Sequence, residues 1–125
     1  IDTGWLKVTN FFNGCTHYGP NSNVQVRQCG KFVYIVGAVG NKNELATKQT
    51  NDGIPDVAMF KLPDGIGLPR TNVRFAQQGS GSNRFSVVVD ASTRIVSIGR
   101  YGTTSCINVP ADAWLNVCLT YIVAD

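Results

Sequence analysis

Charge is scarce in this 125-residue chain: Asp, Glu, Lys and Arg make up 15% of it, against a usual level of about 25%. The Lys and Arg residues are scattered, and the net charge is only +3. Nucleic-acid binding needs a concentrated basic footprint, so it is not expected. Long hydrophobic runs are also missing. No stretch approaches the ~20 apolar residues of a membrane span, and no membrane insertion is expected. Histidine is almost absent. His17 stands alone, which excludes a metal site built on imidazoles. Glutamate occurs once, as Glu44, and most of the aspartates fall in turn-like sequence, where Asp caps its own backbone. No paired carboxylates stand out for glycosidase chemistry. There is no GxSxG elbow and no phosphate loop, because Gly79-Ser80-Gly81-Ser82 does not lie between a strand and a helix. Asn51-Asp52-Gly53 has calcium-loop composition without the full ligand series. No cofactor, no metal and no enzymatic activity are expected.

Cys15, Cys29, Cys106 and Cys118 match no CxxC zinc pattern. An even count allows two disulfides. The favoured reading is four reduced structural thiols, with Cys118 buried inside an apolar strand. The first residues, Ile1-Asp2-Thr3-Gly4, do not resemble a signal peptide. The chain lacks an initiating Met and is expected to be the C-terminal part of a longer protein.

What is present is apolar: 43% of the residues are hydrophobic, and there are 13 glycines. The length suits one domain spanning 1–125 with a real core. Period-two alternation is the main signal. Val24 and Val26 alternate with Gln25 and Arg27. Lys31 to Val39 is a denser apolar run and reads as one central strand buried on both faces. Strands are expected over Val57–Leu62 and Asn72–Ala76. Hairpins are expected for Phe85–Val89 with Arg94–Ile98, across Asp90-Ala91-Ser92-Thr93, and for Ile107–Val109 with Trp114–Val123. In the last strand Leu115, Val117, Leu119, Tyr121 and Val123 share one face. No segment has a convincing helical period, and the best helical stretch, Asn43–Gln49, is too short to stand alone. Eight or nine short antiparallel strands imply an all-β sandwich or jelly roll. The polar Gly40–Pro55 connection is either functional or a solvated excursion.

Binding is the chemistry that remains. Sugar sites use an aromatic face and planar polar groups. Tyr34 and Tyr121 are expected in the core, and Trp114 is expected to pack. Tyr18 and Tyr101 lie among turn residues and are the better binding candidates. Arg100 suits pairing with a phosphate or carboxylate. His17 is expected at a surface or interface, titrating near neutral pH. The saccharide-binding candidates are Arg100, Tyr101, His17, Tyr18, Asn41, Asn43, Asn51 and Asp52.

Gly4-Trp5 opens the chain, and Val24 to Tyr34 resembles a "y-R-x-x-G-n-x-V" strand pair. Leu62-Pro63-Asp64-Gly65 with Pro69 resembles a "tLP-x-G-xxP" turn. Trp114-Leu115-Asn116-Val117 resembles a closing "W-x-s-L" strand. Together these resemble the C-terminal head domains of phage tail tip and fibre proteins, especially receptor-binding proteins of siphophages that infect Gram-positive bacteria. Two departures are the Asp90 turn, which lacks the usual Gly, and Cys29 before Gly30. The resemblance implies a homotrimeric, non-enzymatic head in the virion that binds host cell-wall saccharide. An alternative is a baseplate or fibre module holding other tail proteins; a cell-envelope depolymerase fits less well. The matched motifs carry turns and packing, so the site candidates are not transferred from the family.

Overall fold

Alternating apolar residues in short, glycine-punctuated runs produce strands, and a computed structural model describing residues 1–124 contains no helix among them. Eleven strands follow in order: β1 (Leu6–Lys7), β2 (Cys15–His17), β3 (Gln25–Cys29), β4 (Phe32–Val36), β5 (Ala38–Asn41), β6 (Val57–Lys61), β7 (Val73–Gln78), β8 (Arg84–Val89), β9 (Ile95–Gly102), β10 (Trp114–Asn116) and β11 (Leu119–Ile122). All named pairings are antiparallel. The sheets run β1-β3-β4-β11, β10-β5-β2 and β6-β9-β8-β7. The domain is all-β and sandwich-like.

The strand count exceeds the expected eight or nine because two long runs are cut and because β1 and β2 form in a stretch where no strand was expected. Lys31 to Val39 is two strands rather than one. Gly37, at φ 128°, turns the chain from the pairing of β4 with β3 and β11 into the pairing of β5 with β2 and β10. The C-terminal run is likewise split between β10 and β11. Ile107–Val109 does not form a hairpin with it, because Val109 bridges Leu45 instead. The Phe85–Ile98 hairpin stands as read. Asp90 Oδ1 accepts hydrogen bonds from the backbone N–H groups of Ser92 and Thr93 and from the Ser92 hydroxyl. Those donors stabilise the carboxylate and hold its pKa down at about 2.

The inward faces meet in one core. Val26, Val33 and Ile35 come from one side, and Phe60, Phe85, Val87, Val96 and Ile98 from the other. Phe11 bridges Phe60 along the outer edge of β6, and Gly79, just past β7, bridges Leu115 in β10. That leaves few bare strand edges. The expected face of the last segment holds: Leu115, Val117, Leu119 and Tyr121 are buried, while Cys118, Thr120 and Ile122 face out. Cys118 is therefore exposed, not buried as expected. All four cysteines are free, and burial pushes the Cys15 thiol up to about 11.

Tyr34 is another correction. In β4 the pattern alternates, with Val33 and Ile35 in the core and Phe32, Tyr34 and Val36 in solvent. No layer covers the outer face of that sheet among the described residues, so only every second side chain is buried.

The Gly40–Pro55 connection is not a free excursion. Leu45 pairs with Val109, the buried Thr47 hydroxyl donates to the Ile107 carbonyl at 2.7 Å, and Lys48 N–H donates to Asn108 Oδ1. Its tip is the tight turn between Thr50 and Gly53.

Candidate functional site

The short strand β2 runs along β5, placing Thr16 opposite Gly40 and His17 opposite Val39. The chain then turns, and Tyr18 N–H donates to the Ala38 carbonyl. Across β5, the Pro110–Ala113 turn is tied to Asn41. The Asn41 amide donates to the carbonyls of Asn43 and Pro110, both at 2.8 Å, and its Oδ1 accepts from Ala113 N–H at 3.0 Å. Asp112 N–H donates to the Asn41 carbonyl at 2.7 Å, and Asp112 itself sits at φ 60°. Between these two walls lies a recess of about 300 Å³. Its lining includes Tyr18, His17, Asn41, Thr16, Lys42 and Asp112.

Three expected residues therefore converge, with different roles. Tyr18 is half exposed (51%) and offers an aromatic face at the mouth. Asn41 is buried, and its amide is committed to holding the opposite wall. Its role is positioning. The His17 ring is also committed: Nε2–H donates to the Val8 carbonyl and Nδ1 accepts from Val24 N–H, both at 2.9 Å. Phe11 packs edge-on against the ring at 4.9 Å. Lys42 and Asp112 were not singled out in the sequence. They bring one cation and one anion to the recess rim.

His17 does not titrate at its ordinary value near neutral pH, as the sequence suggested. Desolvation lowers its pKa, against the pull of the Val8 carbonyl and with a small push from Lys7. The unfolded chain takes up this proton near pH ~6.5, while the folded chain does so only at lower pH. Between those values the unfolded state binds more protons, so stability falls as pH drops. Protonation would also aim an Nδ1–H at the Val24 N–H. We expect an NMR titration of the His17 ring to give a midpoint below 6.5. We also expect urea-unfolding stability to fall more between pH 7 and 5 in the native chain than in His17→Gln. Equal slopes in the two proteins would rule this account out.

The other expected residues scatter. Tyr101 is corrected outright: it is 2% exposed, its ring stacks on Phe85 at 6.1 Å, and burial raises its pKa. A residue set among turn-formers in sequence is a core residue in space. Asn43 lies beside Gly14, next to the recess wall, and contributes a carbonyl to Asn41. Asn51 and Asp52 lie at the Thr50–Gly53 turn, where Asp52 lines a separate recess with Ile54 and Pro55. Arg100 lines a further recess with Arg84. No family model, curated protein or solved structure matches the chain.

A third surface escaped sequence reading. The outer face of the β1-β3-β4-β11 sheet exposes Phe32, Tyr34, Val36 and Ile122, with Trp5 at its edge. Arg27 lies over the Trp5 ring at 5.8 Å and forks onto Asp2 through Nε and Nη2, at 3.0 and 2.5 Å. The guanidinium holds the Asp2 carboxyl well below the usual carboxylate range. The Trp5, Arg27 and Tyr34 side chains line a shallow depression of about 540 Å³. Residues read as a doubly buried strand hid this face.

Proposed function

We propose that the chain is a non-enzymatic receptor-binding head of a phage tail that recognises a host cell-surface saccharide during adsorption. The observation that carries the reading is the Tyr18 recess: an exposed aromatic ring beside a cation, a carboxylate and a hydroxyl, on walls fixed by buried hydrogen bonds. A sugar presents C–H faces to an aromatic ring and hydroxyl pairs to planar polar groups. The order of short motifs from Gly4-Trp5 to Trp114-Leu115-Asn116-Val117 supports the phage assignment.

Titration of host envelope polysaccharide onto the protein tests this. Tyr18→Ala is expected to weaken binding at least about tenfold, the loss of one aromatic contact with its buried area. Its melting temperature should hold, because Tyr18 is exposed. No binding by the native chain to any host envelope fraction defeats the proposal. Unchanged binding by Tyr18→Ala moves the site elsewhere.

The head is proposed to act as a homotrimer, so that weak single sites gain by multivalency. The outer face of the β1-β3-β4-β11 sheet supports this part. Aromatic side chains and arginine are typical of interface cores, and paired Arg27 and Asp2 let copies approach without like-charge repulsion. Ile122, 61% exposed, stands on that face. Sedimentation should give the mass of three native chains and of one Ile122→Glu chain. A native chain sedimenting alone removes the trimer. A native chain held instead by another tail protein through this face favours the assembly-module reading.

A further inference from the structure

We propose a second binding site, for a tetrahedral oxyanion such as a phosphate or sulfate group, in the recess between Arg84 and Arg100. It is separate from the Tyr18 recess and does not depend on the saccharide reading.

The strand pairing builds it. Counted outward from the Asp90 turn, the β8–β9 register pairs Val89 with Val96 and Val87 with Ile98. Continued unbroken, it would set Phe85 opposite Arg100. The register holds as far as Ser86 opposite Gly99 and then shifts, so that Arg84 faces Gly102 rather than Tyr101. One extra residue is accommodated in β9, and bulges of this kind re-aim side chains. Arg100 occupies the bulge at φ 57°, a left-handed conformation that is strained for a non-glycine residue. The result breaks the alternation of β9: Gly99, Tyr101 and Gly102 are buried while Arg100 points to solvent. Arg100 then shares a recess of about 180 Å³ with Arg84.

The chain closes the recess on the other side. Gly102, at φ 147°, is pressed against the Ser105 carbonyl, and Ile107 N–H donates to the Tyr101 carbonyl at 2.8 Å. This tight loop presents Thr103, Thr104 and Ser105 to the recess. Arg84 Nη2 reaches the Thr103 carbonyl at 3.3 Å, leaving the rest of its fork unused. Among the described residues, neither arginine forms an ion pair and no carboxylate lines the recess. Among the described residues, none of the three hydroxyls has a hydrogen-bond partner. Two forks and three hydroxyls supply more donors than the two coplanar oxygens of a carboxylate can accept. Three or four oxygens in a tetrahedral array can use them.

The test is an amide NMR titration with inorganic phosphate, and separately with sulfate, against sodium chloride at matched ionic strength. Saturable shifts confined to Arg84, Arg100 and residues 102–106 are expected. Arg84→Gln and Arg100→Gln should each weaken binding at least about tenfold. Arg100→Gly is the control for folding. It removes the guanidinium while relieving the left-handed strain, so it should melt no lower than the native chain yet lose the anion shifts. Shifts no larger than those from chloride overturn the site. So do shifts that persist in Arg100→Gly. Phosphate binding without any envelope-saccharide binding leaves this site standing and defeats only the saccharide reading.

Discussion

Gly37→Val is expected to destabilise the domain by at least about 3 kcal/mol, combining left-handed backbone strain with overpacking. A Cβ at this position would overlap the Asn23 carbonyl and lie 2.7 Å from Val24 Cα, both backbone groups that cannot swing aside. The φ of 128° adds strain for any side chain. The position is also an architectural joint. Ala38 N–H donates to the Ser22 carbonyl, and Val117 N–H donates to the Gly37 carbonyl. Both neighbouring segments therefore depend on where residue 37 places its peptide groups. Thermal melting should show a loss of at least about 10 °C. Gly37→Ala meets the same backbone with less bulk and should show a smaller loss in the same direction. A valine variant within about 1 kcal/mol of the native chain would mean that the corner is not set by Gly37.

Asn41→Leu is expected to cost about 3 kcal/mol and to open the wall of the Tyr18 recess. The leucine has nearly the same size, so the loss is one of hydrogen bonds rather than of volume. Three polar groups lose partners: the Ala113 N–H and the carbonyls of Asn43 and Pro110. Ala113 is buried, so its N–H has no ready replacement in water. Urea unfolding measures the stability loss. Hydrogen exchange measures the local effect, and the Ala113 amide should exchange much faster in the variant. The proposed saccharide binding should fall as well, although Asn41 uses its own amide for the wall. Native exchange at Ala113 together with native stability would contradict the role assigned here.

Tyr34 and Tyr101 show why the two tyrosine assignments exchanged places. Tyr34 lies in a run of consecutive apolar residues, which in sequence looks buried on both faces. Whether a second face is covered depends on a layer contributed by distant segments, and none is present over β4 among the described residues. Tyr101 is followed by Gly-Thr-Thr-Ser, which looks like open turn. The bulge at Arg100 rotates the next side chain inward onto Phe85, and no local pattern announces a bulge. Arg84 was overlooked for the same reason, since its meeting with Arg100 depends on hairpin register rather than on spacing along the chain.

Alternation and turn chemistry, both local, were enough to establish that the chain is all-β, that Asp90-Ala91-Ser92-Thr93 closes a hairpin, and that Leu115 to Tyr121 points one face inward. They also brought His17, Tyr18 and Asn41 forward as candidates. Tertiary structure decided the rest: which strands end at Gly37, which of those three side chains stays free, and which surfaces carry unpaired cations or uncovered rings. The physical reason is range. Side-chain direction along a strand follows from backbone geometry within a few residues. Burial, hydrogen-bond saturation and the sharing of a recess depend on partners tens of residues away, as in the bonds from Asn41 to Pro110 and Ala113.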